Sequence, residues 1–370
     1  MKKISVLHFE LFDKIGGIES FLLNLYRVID LKKFEFSFIT TVDTPGYENE
    51  FVEMGSTIYK IPPYSKVVEN KRAIKNILEN GQYDIIHIHK NSAANILPIV
   101  YAKRYASASV ILHSHNTKPS LAGASLLFHY INKNYLNRKA DFKLACSNNA
   151  GKWLFTDANF TIIKNGIISM NYRYDQNARI AKRQELGLDD SAFVIGHIGK
   201  FSSQKNHEML VKIFGSIKAR IGNSFLILIG IGDLQKKIKD IVKEMKLVED
   251  VLFLNERKDI PALLSSMDAF IFPSIYEGLG MAAIEAQAAG LPTYISDGVV
   301  KEAEASLFVN RFELSDSPDK IAERICYDWD NNADNDRGRG QSQIISAGYD
   351  MSVSASKIER IYTEIVAKKG

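Results

Sequence analysis

The sequence predicts an α/β protein made of two doubly wound domains, and three observations carry this prediction. Short apolar runs alternate with stretches of helical periodicity, which is the pattern of βαβ units with a parallel sheet. The alternation restarts near residue 191, after a polar stretch over residues 171–190 that contains no predicted strand. The chain has 370 residues, of which 46% are hydrophobic, and this is enough for two separate cores.

The apolar runs give the predicted strands in chain order. In the first half they are Ile4–Phe9, Phe36–Thr40, Ile85–His89, Val110–His113 and Phe142–Cys146. In the second half they are Phe193–Ile198, Phe225–Ile229, Val251–Leu254 and Ala269–Phe272. A final helix is predicted over Ser354–Ala367, because apolar residues recur there at helical spacing and no strand follows.

These elements define two domains. We assign residues 1–168, together with the final helix (about residues 352–370), to an N-terminal domain and residues 169–351 to a C-terminal domain. We expect the final helix to pack back on the N-terminal domain. Two such domains facing across a cleft make that cleft the default ligand site, and ligands of parallel sheets bind at the carboxyl ends of the strands.

Composition restricts the class of protein. The two cysteines, Cys146 and Cys326, lack paired spacing, which argues against disulfides or structural zinc and favours a reducing cytoplasm. The N-terminal apolar run is too short for a signal peptide, and no membrane-length apolar segment follows. We therefore expect a cytoplasmic protein.

Charge is distributed unevenly along the chain. Residues 1–170 hold 21 Lys and Arg against 14 Asp and Glu (+7), and residues 171–370 hold 26 against 29 (−3). A basic first half could attract anionic lipid headgroups or acidic substrates, although scattered surface lysines would give the same bias. No zinc-finger spacing, aromatic platform or dense basic stripe indicates nucleic acid as a partner.

The segment from Pro273 to Pro292 is the most informative motif. It follows a predicted strand, and Gly278 and Gly280 mark a turn into a helix, whose free N–H groups would bind an anion. Glu277 and Glu285 are predicted at the two ends of this helix, about 12 Å apart along its axis. Two carboxylates acting on one glycosidic bond lie about 5 to 9.5 Å apart, so these two are expected to hold different parts of one elongated ligand, such as a nucleotide-sugar.

Two further candidate sites follow strands of the first half. Gly16 and Gly17 follow the first strand and could bring amides to a phosphate or sugar, or simply form a tight turn. The absence of G-x-G-x-x-G spacing argues against an NAD enzyme. His113 and His115 alternate onto the same side of a strand end, where they could donate to sugar hydroxyls. Metal ligation is the rival interpretation, and it is disfavoured because acidic partners are missing nearby.

Three residues at strand ends of the second half complete the set. Lys200 and Lys205 follow a strand and suit the growing charge of a diphosphate leaving group, although in isolation they would be interpreted as solvated loop lysines. Gly230 follows the next strand and could leave room for a nucleotide or merely turn the chain.

In this order, the motifs resemble the retaining family 4 glycosyltransferases of the GT-B fold, which has two Rossmann-like domains. The resemblance implies that the N-terminal domain binds the acceptor and the C-terminal domain binds the nucleotide-sugar. The most specific motif is E-x7-E, from Glu277 to Glu285. Within the family, the chain looks most similar to bacterial exopolysaccharide and capsular polysaccharide glycosyltransferases. That closer resemblance rests on three segments: His89-Lys-Asn-Ser-Ala-Ala-Asn-Ile-Leu-Pro98, His113-Ser-His-Asn-Thr117 and Gln204-Lys-Asn-His207.

The resemblance implies a role for each candidate residue. Glu277 would contact the hydroxyls of the donor sugar, Glu285 the ribose hydroxyls, and His115 would face the sugar. Lys200 and Lys205 would neutralise the diphosphate, which the glycine turns and helix-start amides would approach. The implied catalytic residues are Glu277, His115 and Lys205. The implied donor-binding residues are Gly16, Gly17, Lys200, Lys205, Gly230, Gly278, Leu279, Gly280, Met281 and Glu285.

The implied reaction transfers a hexose or N-acetylhexosamine from a UDP-sugar to a lipid-linked or other oligosaccharide acceptor, with retention and with no metal or other cofactor. The departing phosphate oxygen would take the proton of the acceptor hydroxyl, so no enzymic nucleophile is expected. Contact with the inner face of an anionic membrane could come from Leu126–Ile131 and the basic residues that follow, or this helix could be an ordinary core-facing one. The basic residues are Lys133, Arg138 and Lys139.

Two alternatives stay open: a GT-B UDP-sugar 2-epimerase, and a sugar-nucleotide-binding protein without activity. A phosphorylase of this fold would need a pyridoxal lysine and a much longer chain. Three positions depart from the family pattern. Lys200 stands where arginine is usual and loses the bidentate fork. Asn165-Gly-Ile-Ile168 replaces Asn-Gly-Ile-Asp, and Asn255-Glu-Arg257 replaces a glycine-containing turn next to the base pocket.

Overall fold

The computed structural model describes residues 2–13, 16–116, 123–331 and 336–369, which form two compact units. The first unit contains Met1–Gly166 and Met351–Gly370, and the second contains Ile167–Asp350. The division falls after Gly166, where the sequence analysis placed it after residue 168. Each unit is a parallel sheet with helices, so the predicted doubly wound α/β fold is confirmed.

The first unit is built on a sheet of seven described strands in the order β3-β2-β1-β4-β5-β6-β7. The strands are β1 (Ile4–Leu11), β2 (Phe34–Thr40), β3 (Thr57–Lys60), β4 (Ile85–Lys90), β5 (Ser109–Ser114), β6 (Phe142–Ala145) and β7 (Thr161–Ile162). The helices are α1 (Gly17–Val28), α2 (Glu48–Glu53), α3 (Val67–Asn80), α4 (Leu97–Tyr105), α5 (Ala124–Lys139) and α6 (Asn148–Leu154).

The second unit is built on a sheet of six described strands in the order β10-β9-β8-β11-β12-β13. The strands are β8 (Phe193–Ile198), β9 (Ser224–Ile229), β10 (Val251–Leu254), β11 (Ala269–Phe272), β12 (Thr293–Ser296) and β13 (Val309–Phe312). The helices are α7 (Gln176–Glu185), α8 (His207–Arg220), α9 (Gln235–Glu244), α10 (Ile260–Ser266), α11 (Met281–Ala288), α12 (Pro318–Asn331) and α13 (Gly340–Ser346). Short 3₁₀ turns lie at Ser169–Tyr172, Ser203–Lys205, Lys301–Ala303 and Arg337–Arg339.

Each sheet has a switch point, where the chain changes the direction in which it adds strands. In the first unit the switch point lies between the neighbouring strands β1 and β4, and in the second between β8 and β11. The loops that leave two such strands part to opposite sides and open a crevice at their carboxyl ends, which is where doubly wound sheets bind ligands. Both switch points are therefore candidate sites.

The final helix, α14 (Met351–Ala367), belongs to the first unit and packs against α1 and β1. Its Tyr362 is fully buried, and the tyrosine hydroxyl is hydrogen bonded to His87 Nδ1 at 2.6 Å. The prediction that this helix packs on the N-terminal domain is confirmed. Cys146 and Cys326 are both free thiols.

The four strands that the sequence analysis missed are short and lack continuous apolar runs. They are β3, β7, β12 and β13. In β12, Thr293 and Ser296 are completely buried, and their hydroxyls donate hydrogen bonds to Leu291 O and Ser274 O. This buried strand therefore contains polar residues and gives no apolar run in the sequence. The polar stretch 171–190, predicted to be without strands, contains α7 instead.

Candidate functional site

The switch point of the second unit brings together a carboxylate and an ammonium group that are far apart in sequence. Lys205 Nζ lies 2.6 Å from Glu277 Oε1, and Gln204 Nε2 donates to the same oxygen at 2.8 Å. The side chains of Lys205 and Glu277 are only 17% and 10% exposed. Among the described residues, none donates to Glu277 Oε2. One oxygen of Glu277 is thus fixed and the other stays available to a ligand.

The backbone around Glu277 is held by neighbouring loops. Its N–H donates to Gly298 O at 3.1 Å, and it forms an isolated parallel bridge with Val299. The loop that carries Lys205 is tied to the same segment, because the N–H of Ile275 donates to Gln204 O at 2.8 Å. These backbone bonds set the positions of both charged side chains before any ligand arrives.

The predicted placement of Glu277 and Glu285 at the two ends of one helix is wrong. Helix α11 begins at Met281, because Gly280 adopts φ = +73° and ends any continuous helical path from Glu277. Glu285 is the fifth residue of this helix, about 6 Å along its axis. The 12 Å axial separation therefore does not apply. The different roles of the two glutamates rest on the family motif and not on their spacing.

The start of α11 offers unpaired amides. Among the described residues, none accepts a hydrogen bond from the N–H groups of Leu279, Gly280 or Met281. Gly278 has open space where a side chain would be, whereas a Cβ on Gly280 would come within 2.8 Å of the Phe272 ring. A helix start with free N–H groups and a positive dipole end favours an anion.

Glu285, on α11, carries a carboxyl group whose pKa is displaced upwards. Burial raises its pKa to about 7, and a hydrogen bond from the Tyr172 hydroxyl to Oε1, at 3.0 Å, opposes this rise. The carboxyl therefore exchanges its proton near neutral pH in the absence of a ligand. Hydrogen bonds from ligand hydroxyls would favour its ionised form.

Lys205 lies above an aromatic layer that the sequence analysis did not foresee. Its Nζ is 4.5 Å from the centroid of the Phe272 ring. Two buried histidines lie close by: His197, whose Nδ1 is bonded to Ile271 O, and His207, stacked on Phe201 with centroids 4.2 Å apart. Burial, and then the charge of Lys205, lower the pKa of His207 to about 4. Both imidazoles are neutral at pH 7, so the ammonium group of Lys205 is the local positive charge.

The structure does not bring Lys200 or Gly230 into this cluster. Lys200 is exposed on the loop after β8. Gly230 adopts φ = +139°, and a Cβ there would come within 2.3 Å of Gly199 O. Close packing of two backbone segments is thus a sufficient reason for this glycine. A donor contact of either residue stays a prediction.

In the first unit, the double glycine lies at the start of α1. The amide of Gly16 donates to Glu19 Oε2 at 3.0 Å, and the amide of Phe12 donates to Glu19 Oε1 at 3.2 Å. The carboxylate of Glu19 thus already occupies the Gly16 amide, whereas Gly17 has no atom within 4 Å of a would-be Cβ. Residues 14 and 15 of this predicted turn lie outside the described residues.

His115 ends a buried row of histidines that crosses β1, β4 and β5. His115 Nε2 is hydrogen bonded to His89 Nδ1 at 2.8 Å, and His89 Nε2 to His8 Nδ1 at 3.0 Å. Because each imidazole in such a chain donates once and accepts once, the tautomers of the three residues are coupled. His115 Nδ1 is itself buried, and the side chain of Asn165 lies beside His115. Thr117, the last residue of this predicted motif, lies outside the described residues.

The remaining histidines of the row have structural partners. His113 and His115 lie on the same side as predicted, with ring centroids 4.0 Å apart, but His113 is completely buried. Its Nδ1 lies 3.3 Å from His87 Nε2. Burial lowers the pKa of His8 and of His115 to about 3, so these rings are neutral.

The spacing of the row would suit a metal ion. Potential ligand nitrogens lie within 4.8 Å of one another in two sets that share His89: His8, His87 and His89, and His89, His113 and His115. Several of these nitrogens already form hydrogen bonds with one another. Independence of metal stays a prediction.

Sequence reasoning missed two polar residues of the second unit. Gln204 was quoted only as part of a motif, and Tyr172 was not considered. Gln204 precedes Lys205, so the adjacent position was a signal that could have been used. Tyr172 is 113 residues from Glu285 and precedes the first strand of its unit, and no local pattern indicates that contact.

Comparison with known proteins decides the family. Residues 15–168 match the family described as Glycosyltransferase Family 4, and residues 178–327 match Glycosyl transferases group 1. EpsF of Bacillus subtilis (strain 168), named as a glycosyltransferase, is 32% identical over 327 residues, which are 84% of each protein. The chain belongs to glycosyltransferase family 4. The predicted enzyme class and family are thereby confirmed.

More distant relatives of this family 4 glycosyltransferase span its whole length. The UDP-Gal:alpha-D-GlcNAc-diphosphoundecaprenol alpha-1,3-galactosyltransferase of Escherichia coli is 24% identical over 393 residues, 99% of this chain and 98% of the relative. The crystal structure of HepE from Anabaena with UDP and glucose aligns with a TM-score of 0.79 at 18% identity, over 98% of this chain and all of that one. Structural likeness at that identity shows the fold, GT-B, and no more.

Within the described ranges, no helix of this family 4 glycosyltransferase combines the length and the apolar character that crossing a bilayer requires.

Proposed function

We propose that this enzyme is a retaining, UDP-sugar-dependent glycosyltransferase that moves a hexose or N-acetylhexosamine to a lipid-linked oligosaccharide during synthesis of a bacterial surface polysaccharide. The observation that carries the proposal is the arrangement at the second switch point. There Glu277 keeps one oxygen open, and free amides lie at the start of α11. A carboxylate accepts hydrogen bonds from sugar hydroxyls, and such amides bind phosphate, which are the two parts of a sugar diphosphate.

Each neighbouring group has a place in this reaction. Lys205, beside Glu277, balances the negative charge that grows on the diphosphate as the glycosidic bond breaks, and Lys200, exposed earlier on the same loop, adds a second positive charge. Glu285 accepts hydrogen bonds from the ribose hydroxyls. The donor contacts of His115 and Gly17, in the first unit, stay predictions: His115 Nδ1 is buried, and Gly17 has open space where a side chain would be.

The configuration is retained because the acceptor oxygen attacks the same face of the sugar ring from which the leaving group departs. The bond from the sugar C1 to the phosphate oxygen breaks, and the bond to the acceptor oxygen forms on the same side. The acceptor proton passes to the departing phosphate oxygen. We propose that no metal takes part, because Lys205 and the α11 amides supply the positive charge that phosphoryl leaving groups otherwise draw from a cation.

The names of relatives support the donor and the acceptor. The Escherichia coli relative is named for UDP-Gal and for an acceptor sugar on diphosphoundecaprenol. The HepE structures contain UDP, UDP with glucose, and UDP-glucose. A UDP-sugar donor and a lipid diphosphate acceptor are therefore the first combination to test.

Helix α5 supports membrane contact on the cytoplasmic side. Its inward face includes the buried His129 and Leu136. Its outer face exposes four large apolar side chains, each more than half accessible: Leu127, Phe128, Tyr130 and Ile131. Arg138 and Lys139 are exposed in the last turn. An apolar ridge next to cations suits a surface of anionic lipid.

The activity is tested by a donor screen that measures UDP release with an N-acetylglucosamine diphosphate-alkyl acceptor and with none. Transfer must give a product whose new linkage has the anomeric configuration of the donor, and it must persist in EDTA. Inverted product would contradict retention, and loss of transfer in EDTA would contradict metal independence. Interconversion of UDP-sugars without acceptor would indicate the epimerase instead. If none of the UDP-sugars in the screen releases UDP, the proposal is refuted.

Membrane contact is tested by flotation with vesicles that contain anionic lipid. Charge reversal of Arg138 and Lys139, or Phe128→Ser with Ile131→Ser, should abolish flotation. Reversal of Lys71 and Arg72, which are exposed on α3, is the matched control and should leave it unchanged. Absence of flotation of the unmodified protein would refute membrane contact.

A further inference from the structure

The switch point of the first unit also holds a carboxylate and an ammonium group. Glu10 lies near the carboxyl end of β1, and Lys90 is the last residue of β4, the neighbouring strand. After β1 the chain adds β2 and β3 on one side, and after β4 it adds β5 on the other. Glu10 and Lys90 thus flank the crevice where a sheet of this topology binds its ligand.

This pair is buried but poorly satisfied. Glu10 and Lys90 are 8% and 6% exposed, and their charged atoms are 3.9 Å apart. Among the described residues, no hydrogen-bond partner is found for Glu10 Oε1 or for the buried hydroxyl of Tyr64. Burial, then the charge of Glu10 and the interaction of the hydroxyl with the Glu10 carboxyl group, raise the pKa of Tyr64 well above its ordinary value, so the hydroxyl stays protonated and faces Glu10. A buried ion pair offsets its desolvation only when further hydrogen bonds complete it. A ligand can complete this one.

The second unit provides an internal comparison. Its switch point holds Lys205 after the first strand of the sheet and Glu277 after the strand across the crevice, with the charged atoms 2.6 Å apart. In the first unit the charges are exchanged, with the carboxylate on the first strand and the ammonium group across from it. Both units thus place one cation and one anion at the same point of the same topology.

We propose that Glu10, Tyr64 and Lys90 form a subsite for hydroxyl groups of the acceptor sugar. Lys90 donates to a hydroxyl oxygen, Glu10 accepts from a hydroxyl, and Tyr64 does either. The ligand is a neutral polyol and not a phosphate, because the side chain of Glu19 lies at the start of α1, where its oxygens already accept from the amides of Phe12 and Gly16. This inference rests on the proposed function and on the role that the family resemblance implies for the N-terminal domain, which is to bind the acceptor.

The loop after Lys90 is held rigidly by α5 and α6. The Ala93 amide donates to His129 Nδ1 at 3.0 Å, Asn132 Nδ2 donates to Ala94 O at 3.2 Å, and Trp153 Nε1 donates to Asn91 O at 2.8 Å. His129 and Asn132 lie on the same helix as the exposed apolar ridge. The subsite is therefore preorganised, and it is joined to the surface that we propose meets the lipid of the acceptor.

The test measures acceptor and donor parameters separately in Glu10→Gln, Lys90→Met and Tyr64→Phe. The acceptor is the N-acetylglucosamine diphosphate-alkyl compound, together with its monodeoxy analogues. Loss of a charge-assisted hydrogen bond should raise the acceptor KM about 10- to 100-fold in Glu10→Gln and Lys90→Met, and less in Tyr64→Phe. The Kd for UDP and the acceptor-free release of UDP should not change. Lys103→Met, which removes the partner of Asp141 elsewhere in the unit, is the matched control.

The deoxy analogues identify the contact. The analogue that lacks the bound hydroxyl should be a poor acceptor for the unmodified enzyme, but should lose little further in Lys90→Met. An unchanged acceptor KM in the variants, or a loss of UDP affinity as large as the loss of acceptor affinity, would overturn the inference. Transfer by the unmodified enzyme would still uphold the proposed function. If Lys90→Met does not fold, Tyr64→Phe, which removes one oxygen, decides by the same KM. If the unmodified enzyme transfers no sugar from any UDP-sugar, both proposals fall.

Discussion

Replacement of Glu285 by glutamine should stabilise the protein while weakening donor binding. Burial raises the pKa of Glu285 from 4.5 to about 7, so the folded protein holds a proton that the unfolded chain releases. Stability contributed by this residue therefore falls as the pH rises from about 4.5 to about 7, and stays low above that. Glutamine keeps an oxygen for the Tyr172 hydroxyl and carries no charge to desolvate.

The size of the effect follows from the two pKa values. Because the unfolded chain ionises Glu285 more readily than the fold does, the raised pKa lowers the free energy of unfolding by about 2 kcal/mol at pH 6 and about 3 kcal/mol at pH 8. Glu285→Gln should be more stable than the unmodified protein by these amounts. For a unit of this size, about 3 kcal/mol corresponds to an increase in Tm of about 6 to 12 °C at pH 8.

The assay is thermal unfolding at pH 6 and pH 8, with and without UDP. The proposed hydrogen bonds from the ribose hydroxyls would favour the ionised carboxylate in the unmodified protein, so UDP should raise Tm and its binding should release a proton near pH 7. Isothermal titration in buffers of different ionisation enthalpy measures that proton. Glu285→Gln should release none and should bind UDP more weakly. Glu249→Gln, at an exposed glutamate of the same unit, should match the unmodified protein in every measurement.

A lower Tm for Glu285→Gln at pH 8 would refute the reasoning, because it would show that the carboxylate stabilises the ligand-free fold. A gain in Tm of equal size at both pH values would attribute the change to packing and not to ionisation. Unchanged UDP affinity in a stabilised variant would remove Glu285 from the donor site while leaving its pKa as described.

Three other outcomes are expected. Glu277→Gln and Lys205→Met should each lower kcat about 100- to 1000-fold in the UDP-release assay. Lys212→Met, at an exposed position on α8, should leave kcat unchanged. Full turnover by Glu277→Gln or by Lys205→Met would exclude a catalytic role for that residue. The free energy of unfolding should fall as the pH drops below 6.5, because His8 and His115 have a pKa of about 3 in the fold and gain protons only on unfolding. Each histidine lowers this free energy by about 2 kcal/mol at pH 5. Circular dichroism during an acid titration measures the effect, and a signal that stays flat to pH 4 would contradict it. Tyr362→Phe should lower the free energy of unfolding by about 1 kcal/mol in urea, since it leaves His87 without its hydroxyl partner; an unchanged midpoint would refute that contribution.

The central strands of both sheets were predictable, because their apolar runs are continuous and buried on both faces. The outer strands were not. In β13, Val309, Asn310 and Arg311 are partly exposed and give no apolar run, and the strand forms only beside β12. The start of α11 was also misplaced, because the left-handed conformation of Gly280 is a property of the turn that no spacing reveals.

Individual residues of the candidate site could be predicted from the sequence, but the contacts between them could not. Glu277 and Lys205 could each be named from glycine turns and strand ends, yet their contact joins residues 72 apart and depends on the strand order of the sheet. The same order places Glu10 beside Lys90; Lys90 appeared only within a motif, and no local pattern indicated Glu10. Side-chain partners set by sheet topology become visible only when the topology is known.

Because α14 belongs to the first unit but is encoded at the end of the chain, the unit whose synthesis begins first is completed last. Tyr362, which closes over His87, lies 275 residues after it in the chain. At a synthesis rate of about 5 to 20 residues per second, the hydroxyl that this histidine needs is made roughly 15 to 55 seconds later. During that interval the whole of residues 167–350 is produced and has every strand of its own sheet. The unit that starts first on the ribosome is therefore the one that finishes last.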